Sequence, residues 1–316
     1  TEEYRVFPIQ QGKLLEDGYE LPDEETGKAD GPLIKTARYI GNKWGGKYMR
    51  APDIYWTILE KGKGKLVRLG DIARVRFGIK TGANEFFLLD TERIREWNIE
   101  EEYLKPVIFS LKEIRCIEDN LAELKYKLLV CNESLNALRN KKVADYIKWG
   151  ESQGFHKRPT CKSRGIWYSI GNRWQPAPYI FPSKVGERMV VLRNLQNILE
   201  EKKQYGITPL SGTPVYWSSK LNSTLTRFFM DLSCRQLTGA QAIADVDVRV
   251  VEDIFMPRES ILMHDRLDSC YRIIATTPIL NHVRDEYTRT ERRELDNIIF
   301  DSIGLTENER DAVYES

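Results

Sequence analysis

The chain has 316 residues, of which 41% are hydrophobic and 30% charged, and its formal net charge is +1. This length and composition are typical of one large globular domain or two smaller ones. Since no apolar run approaches the roughly 20 residues of a membrane-spanning helix, and the N-terminal TEEYRVFPIQ lacks a signal-peptide pattern, we expect a cytoplasmic protein without a membrane partner.

Residues 1–65 are predicted to form a connecting segment that ends in a docking helix. An acidic, turn-rich stretch over residues 16–30 suits an exposed loop. In the following APDIYWTILEKGKG, Pro52 suits the first helical position, Gly62 suits the helix end, and apolar residues share one face. We expect this face to pack on the domain that follows.

The stretch RFGIKTGANEFF, residues 76–87, connects two apolar segments that are predicted to be strands. A hairpin needs about two to five loop residues and one glycine, whereas this connection holds two glycines, a lysine, a threonine and an asparagine. Two interpretations are open. In an ordinary hairpin turn, Asn84 bonds its own backbone; in a contact loop, it meets a phosphate backbone or a base edge.

The middle of the chain mixes strand-like and helix-like runs. The strand-like runs are LKYKLLVC, IWYSI, YIFP, MVVLRN and PVYWSS, and residues 132–149 are helix-like. The run LNSTLTRFFMDLSCRQL predicts an amphipathic helix whose apolar stripe packs in the core and which ends at Gly239.

Positive charge is concentrated in the middle of the chain. Residues 139–173 contain nine basic residues and two acidic ones, Asp145 and Glu151, while acids collect elsewhere. This asymmetry is typical of a nucleic-acid face with a compensating acidic surface. A solvated basic face without a partner is the alternative.

The C-terminal segment, residues 265–316, is predicted to be helical. It contains two matches to the capping box, Thr288-x-x-Glu291 and Thr306-x-x-Glu309. Residues 66–264 between this tail and the connecting segment then form the main domain.

Cysteine and histidine usage gives no sign of a metal site. The five cysteines are scattered and odd in number, and the three histidines lie far apart without an HExxH pattern. Neither a disulfide framework nor a CxxC site is indicated.

Four segments occur in an order that resembles a known family: KWGGKYMRAPDIYWTILEKGKGKLVRLGDIARVRFGIKTGANEFFLL, HKRPTCKSRGIWYSI, YIFPSKVGERMVVL and LNSTLTRFFMDLSCRQLTGAQAIADVDVRVVEDIFMP. They resemble the C-terminal specificity region of TaqI-type adenine-N6 DNA methyltransferases and of fused restriction and modification enzymes. The run LGDIARVRFGIKTG is also similar to the start of target recognition domains in type I specificity subunits. The resemblance covers residues 43–257.

The resemblance implies an α+β fold, with a mixed β-sheet target recognition domain, packed helices and a helical C-terminal tail. It also implies double-stranded DNA as partner, gripped while a separate catalytic domain or subunit flips and methylates an adenine. The sequence has neither a glycine-rich cofactor loop nor an Asn-Pro-Pro-Tyr or Asp-Pro-Pro-Tyr motif. We therefore expect no catalytic residue here, and S-adenosylmethionine only in the separate catalytic domain.

Three groups of residues are predicted to contact DNA, because their side chains suit phosphates or base edges. The first group, in the contact loop, is Lys80, Thr81, Gly82 and Asn84. The second lies in residues 156–168, which we call the basic segment, and is Lys157, Arg158, Lys162 and Arg164. The third, at the end of the amphipathic helix, is Arg235, Gln236 and Gln241. Trp167 and Tyr168 are predicted to fill the core from a strand rather than to stack on bases.

Two other functions stay open at this point. A restriction-type nuclease fragment needs clustered carboxylates and a lysine around magnesium, a pattern that Asp53 and Glu123-Leu124-Lys125 match only at long spacing. A protein-binding scaffold subunit is the third possibility, if the helical tail docks a partner.

Overall fold

The computed structural model describes residues 51–121, 124–237, 243–259 and 261–316, together with Gly12, Tyr19–Glu20, Arg38–Tyr39 and Arg50. Helices and short strands are mixed along this part of the chain, which confirms the predicted α+β class. None of its helices combines the length and the apolar character that spanning a bilayer requires.

The strands of the described residues are β1 (Tyr19–Glu20), β2 (Arg38–Tyr39), β3 (Leu66–Arg68), β4 (Ala73–Phe77), β5 (Leu88–Leu89), β6 (Leu104–Ile108), β7 (Tyr126–Leu129), β8 (Tyr179–Pro182), β9 (Lys184–Val185), β10 (Leu192–Arg193), β11 (Leu199–Glu200), β12 (Gln204–Pro209), β13 (Arg235–Leu237), β14 (Ile243–Asp245) and β15 (Phe255–Pro257). The α-helices of the same residues are α1 (Asp53–Lys61), α2 (Leu69–Ile72), α3 (Asn84–Phe87), α4 (Thr91–Trp97), α5 (Lys142–Ser152), α6 (Pro159–Lys162), α7 (Pro214–Leu221), α8 (Thr224–Ser233), α9 (Val248–Asp253), α10 (Ile261–Ile274), α11 (Val283–Tyr287), α12 (Thr290–Ile303) and α13 (Glu307–Glu315).

A four-stranded antiparallel sheet with the order β10-β8-β12-β4 lies in the larger of two hydrophobic cores. Strand β12 is paired on both sides, so that Tyr205 lies opposite Phe77 on β4 and Phe181 on β8. Tyr205, Ile207 and Phe181 are buried there. Burial of such large apolar side chains stabilises the fold by about 1.5 to 3 kcal/mol each.

A second four-stranded sheet, with the order β11-β6-β7-β5, belongs to the smaller core. Strand β11 runs parallel to β6, and the other pairs are antiparallel. Phe86 of α3 stacks on Tyr146 of α5 in this core, with ring centroids 4.9 Å apart. Because β11 leads directly into β12, residues 199–204 join the two sheets.

The C-terminal helices and the docking helix α1 both contribute to the larger core. The fully buried Asp296 on α12 accepts a hydrogen bond from the backbone N–H of Thr224 at 2.8 Å. Lys61, in the last turn of α1, forms an ion pair with Glu309 of α13 at 2.6 Å. The domain boundaries proposed at residues 65 and 264 stay predictions.

Several runs with strand-like composition are helices or turns. PVYWSS forms most of α7, because the side chain of Thr213 accepts a hydrogen bond from the Tyr216 N–H and Pro214 occupies the first turn. EFFLLD begins in α3 and only then enters β5. IWYSI forms turns, although Tyr168 is buried as predicted.

The predicted helix ends are partly confirmed. Thr306 and Glu309 form the predicted capping box, whereas Thr288 ends α11 and donates its hydroxyl to the Asp285 carbonyl at 2.8 Å. Pro52 is the N-cap of α1 and not its first helical residue. Helix α8 ends at Ser233, well before Gly239, which lies outside the described residues.

Candidate nucleic-acid interface

The connection RFGIKTGANEFF is not a hairpin. Strand β4 pairs with β12 in the first sheet, whereas β5 pairs with β7 in the second. Residues 78–83 therefore carry the chain from one sheet to the other, and α3 follows. The hairpin interpretation is wrong because the two flanking strands do not pair with each other, while DNA contact by this loop stays a prediction.

The two glycines of the loop allow close approach to the protein's own chain. Gly82 has a φ of +82°, and a Cβ there would lie 2.6 Å from Cβ of Thr160 in α6. A Cβ on Gly78 would overlap the backbone carbonyl oxygens of Glu200 and Glu201. Both positions require glycine for packing inside the protein.

The polar side chains of the loop are also bound internally. Thr81 is 1% exposed, and its hydroxyl donates to Oδ1 of Asn84. The Nδ2 group of Asn84 donates to Oε1 of Glu201 at 3.1 Å. Lys80, which directly precedes Thr81, is exposed. The network fixes the loop and leaves the Lys80 side chain toward solvent.

The basic segment packs directly against this loop, so the structure brings together two groups that lie far apart in sequence. Arg164 donates from Nη2 to the Lys80 carbonyl at 2.8 Å, and its guanidinium lies 5.3 Å from the centroid of the Phe87 ring. Arg158 forms an ion pair with Glu85 at 2.7 Å. Burial lowers the pKa of Arg164. Both arginines thus hold the segment to the loop.

Three lysines of this surface are exposed: Lys80, Lys157 and Lys162. We call them the lysine patch. None of the three forms an ion pair with an acidic side chain among the described residues. Their ammonium groups are accordingly available for an external anion such as a DNA phosphate.

Trp167 and Tyr168 serve the smaller core, as predicted. The Tyr168 hydroxyl donates to the Glu133 carbonyl at 2.7 Å, and Trp167 Nε1 donates to Oε1 of Glu151 at 3.0 Å. Burial raises the pKa of Tyr168. These contacts engage the polar atoms of both rings within the protein.

The third predicted group is only partly described. Arg235 and Gln236 follow the end of α8 and form β13, with Arg235 opposite Asp245 of β14. Gln241 lies outside the described residues. No described contact joins β13 to the lysine patch, and a role for these three residues stays a prediction.

A buried ion pair beside the loop was not predicted from the sequence. Glu200 is fully buried and lies 2.7 Å from Arg76 Nη2, which also contacts the Gln175 carbonyl. Burial raises the pKa of Glu200 to about 7, against the opposing effect of Arg76. A glutamate at the last position of a two-residue strand has no local pattern that reveals such burial.

The described residues do not supply a nuclease metal site. They contain no group of three or more histidine, cysteine or acidic side chains that could hold a metal ion. Asp53 begins α1, Lys125 lies 5.1 Å from the Tyr126 ring centroid, and Glu123 is outside the described residues.

Comparison with known sequences shows that this chain is similar to restriction-modification proteins. The family model described as "Type II methyltransferase M.Eco57I, C-terminal domain" matches residues 42–240, more than half of the chain. The type II methyltransferase M.AccI of Acinetobacter calcoaceticus is 34% identical over 137 residues, which are 40% of this chain and 25% of that protein. The match thus spans a quarter of the length of this curated relative.

Two solved structures share the fold at low sequence identity. The type IIG restriction endonuclease BpuSI matches with a TM-score of 0.51 and 11% identity, over 84% of this chain and 32% of that one. The type IIL restriction-modification enzyme MmeI, solved in complex with DNA, matches with a TM-score of 0.53 and 12% identity, over 78% of this chain and 35% of that one.

Proposed function

The chain belongs to the family of C-terminal domains of type II methyltransferase M.Eco57I, and from this premise we propose that it recognises double-stranded DNA in a sequence-specific manner. The catalytic partner in this proposal is the adenine-N6 methyltransferase domain or subunit of a restriction-modification system. In this proposal the chain acts on cellular DNA in the cytoplasm.

The observation that carries the proposal is the assembly of the lysine patch from two distant segments. Arg164 ties the basic segment to the Lys80 carbonyl, across 84 residues of sequence. The result is a surface of ammonium groups, unpaired by any described acid, on a rigid support of internal hydrogen bonds. Lys80, Lys157 and Lys162 bind phosphates in this scheme, because phosphate contacts position a protein on DNA.

The other predicted residues have different parts in the proposal. Arg158 and Arg164 hold the surface together, and Thr81, Gly82 and Asn84 give the loop its shape. The base-reading residues are then sought in the third group, Arg235, Gln236 and Gln241, since arginine and glutamine suit guanine and adenine edges.

S-adenosylmethionine does not fit the loop of residues 78–83, a feature of the described residues that resembles a nucleotide cradle. The loop after β4 has the order strand, glycine loop, helix that phosphate-binding sites use. The space beside Gly78 and Gly82, however, is filled by the Glu200 and Glu201 carbonyls and by Thr160. We therefore propose that the cofactor, which would supply the methyl group, binds in the catalytic domain.

The test is a titration of the full chain with duplex DNA at several salt concentrations. Changing Lys80, Lys157 and Lys162 together to glutamine should weaken binding to all duplexes and lower the slope of log affinity against log salt by about 0.9 for each phosphate that is no longer neutralised. The matched control changes Lys141, Lys142 and Lys148, which are paired with acids, and should leave the slope near the wild-type value.

Three outcomes would overturn the proposal. Equal slopes for the two triple variants, with both folded by circular dichroism, would place the duplex elsewhere. Absence of duplex binding by the wild-type chain would favour the scaffold function, and magnesium-dependent cleavage in the same samples would favour the nuclease.

A further inference from the structure

A cleft of about 670 Å³ has none of its lining residues in the loop or in the basic segment, although its lining residue Gln204 accepts a backbone hydrogen bond from Gly78 of the loop at 2.9 Å. Its lining residues come from three stretches, residues 109–115 without Glu113, 182–190 and 278–281, and from residues 203–204. Such a volume is within the roughly 300–1,000 Å³ that is typical of small-ligand pockets. It accommodates one or two nucleotides but not the side of a duplex.

The walls of the cleft are held together by one arginine. Arg188 donates from Nη1 to the Leu111 carbonyl at 3.2 Å, from Nη2 to the Ile114 carbonyl, and from Nε to the Ile279 carbonyl at 3.5 Å. A single side chain from the second wall thus binds both of the others. The cleft is therefore formed before any ligand arrives, which lowers the entropy cost of binding.

The lining of the cleft is strongly positive. It contains five cationic side chains and one acidic residue, Glu187. Lys112, Lys184 and Lys203 are exposed, and none of them forms an ion pair among the described residues. Because the cations lie on several walls, they suit a ligand with more than one phosphate group better than a single small anion.

The cleft also has an aromatic wall. Phe109 is half-buried, its ring meets the Tyr126 ring edge-on with centroids 5.4 Å apart, and Nζ of Lys203 lies over the ring, 4.2 Å from its centroid. A base that stacks on this face takes the place of the Lys203 ammonium, which then faces a phosphate, as aromatic rings and cations share the bases and phosphates of single-stranded nucleic acids.

We propose that this cleft binds an unpaired strand of DNA, with its phosphates on Lys112, Lys184 and Lys203 and a base on Phe109. The cleft shares no lining residue with the lysine patch, and its proposed ligand is a single strand rather than a duplex. We therefore expect that strand binding and duplex binding can be lost one at a time.

The experiment measures fluorescence anisotropy of a labelled oligodeoxythymidine single strand with the full chain. The Lys112→Gln, Lys184→Gln double variant should bind about tenfold more weakly, with a salt slope lower by about 0.7 for each phosphate that is no longer neutralised. The matched double variant Lys63→Gln, Lys148→Gln removes the same charge at exposed sites outside the cleft and should bind like wild type.

A second variant tests the aromatic wall without changing charge. Phe109→Leu keeps an apolar side chain and removes the ring, so strand affinity should fall roughly fivefold or more while the salt slope stays unchanged. Circular dichroism of each variant distinguishes loss of the site from loss of the fold. If Phe109→Leu unfolds, the lysine double variant still decides the matter.

Several results would overturn the proposal. They are absence of strand binding by the wild-type chain, equal affinities for the cleft and control double variants, and displacement by thymidine monophosphate as effective as by the oligonucleotide. A duplex titration of the same variants separates this proposal from the previous one: loss of duplex affinity in the cleft variant equal to its loss of strand affinity would make the cleft part of the duplex surface instead.

Discussion

Two arginine–glutamate pairs flank the loop of residues 78–83 and show how strongly surroundings govern an ion pair. Arg76 and Glu200 lie 2.7 Å apart at the junction of the two sheets, and Arg158 and Glu85 lie 2.7 Å apart at the surface. The pKa of Glu85 is lowered, mainly by the hydrogen bond from Arg158. The pKa of Glu200 is raised to about 7, because burial outweighs the same attraction.

The comparison shows that distance alone does not measure the worth of a charge pair. Taking a carboxylate out of water costs more than one arginine at contact distance returns. The surface pair keeps its water and is worth little to stability. The junction is thus sensitive to pH and to loss of its partner, whereas the surface pair mainly neutralises Arg158.

The first expected effect is that of Arg76→Gln. At pH 8 it removes the cation that favours the Glu200 carboxylate and should lower the free energy of unfolding by about 2 kcal/mol, because a pKa of about 7 lets ionisation contribute only about 1.4 kcal/mol at that pH. At pH 5 the carboxyl group is protonated, and the loss should fall to about 1 kcal/mol. Urea unfolding at both pH values, with Arg74→Gln on the same strand as control, measures this. Equal losses at both pH values would contradict it.

The second effect concerns the pH dependence of the wild-type chain. Since the folded-state pKa of Glu200 is above its ordinary value of 4.5, the unfolded chain releases this proton first as pH rises. The stabilisation that the protonated Glu200 side chain contributes is complete below pH 4.5. It declines by about 3 kcal/mol as the pH rises to about 7. Glu200→Gln should remove that decline, so parallel stability curves for wild type and variant between these pH values would refute the assignment.

The loop between the two pairs should respond to added volume. Gly82→Ala forces a side chain into positive φ and against Thr160, and should cost about 2 kcal/mol of stability. Gly165→Ala, where a Cβ meets nothing within 4 Å, should change stability by about 0.5 kcal/mol or less. Thermal unfolding of the two variants tests this, and similar melting temperatures would show that the loop is not tightly held.

The smallest effect belongs to the surface pair. Glu85→Gln should alter stability by less than about 1 kcal/mol. Because Arg164 still holds the basic segment to the loop, the freed Arg158 should strengthen duplex binding, with a salt slope steeper by at most about 0.9. Glu92→Gln removes the same charge from an exposed site on α4 and serves as control. If both variants bind duplex DNA alike, Arg158 is not near the DNA.

The features that were predictable from sequence are those that local patterns determine. The apolar face of α1, the stripe of α8 and the capping box at Thr306 each lie within a few residues of one another, so periodicity and spacing suffice. The run PVYWSS is predicted to be a strand because its aromatic and β-branched residues favour strands. It is helical because the preceding threonine caps a helix and its proline suits the first turn.

The candidate site depends on contacts that no local pattern contains. Charge density identified the basic segment, but Glu85, 73 residues away, decides which of its arginines is paired. Glycines marked the loop for close approach, yet Thr160 and residues 200–201, which fill the adjacent space, are distant in sequence. Only the folded chain shows which lysines of this surface form no ion pair with a described acidic residue.

The hydrogen bond from Arg164 to the Lys80 carbonyl also bears on the order of folding. It closes a loop of 84 residues that contains β6, β7 and α5, and loop-closure entropy opposes its formation until those elements have folded. During synthesis the lysine patch cannot assemble before residue 164 has left the ribosome. A nascent chain therefore acquires this cationic surface only after residues 80–164, which supply most of the smaller core, have been synthesised.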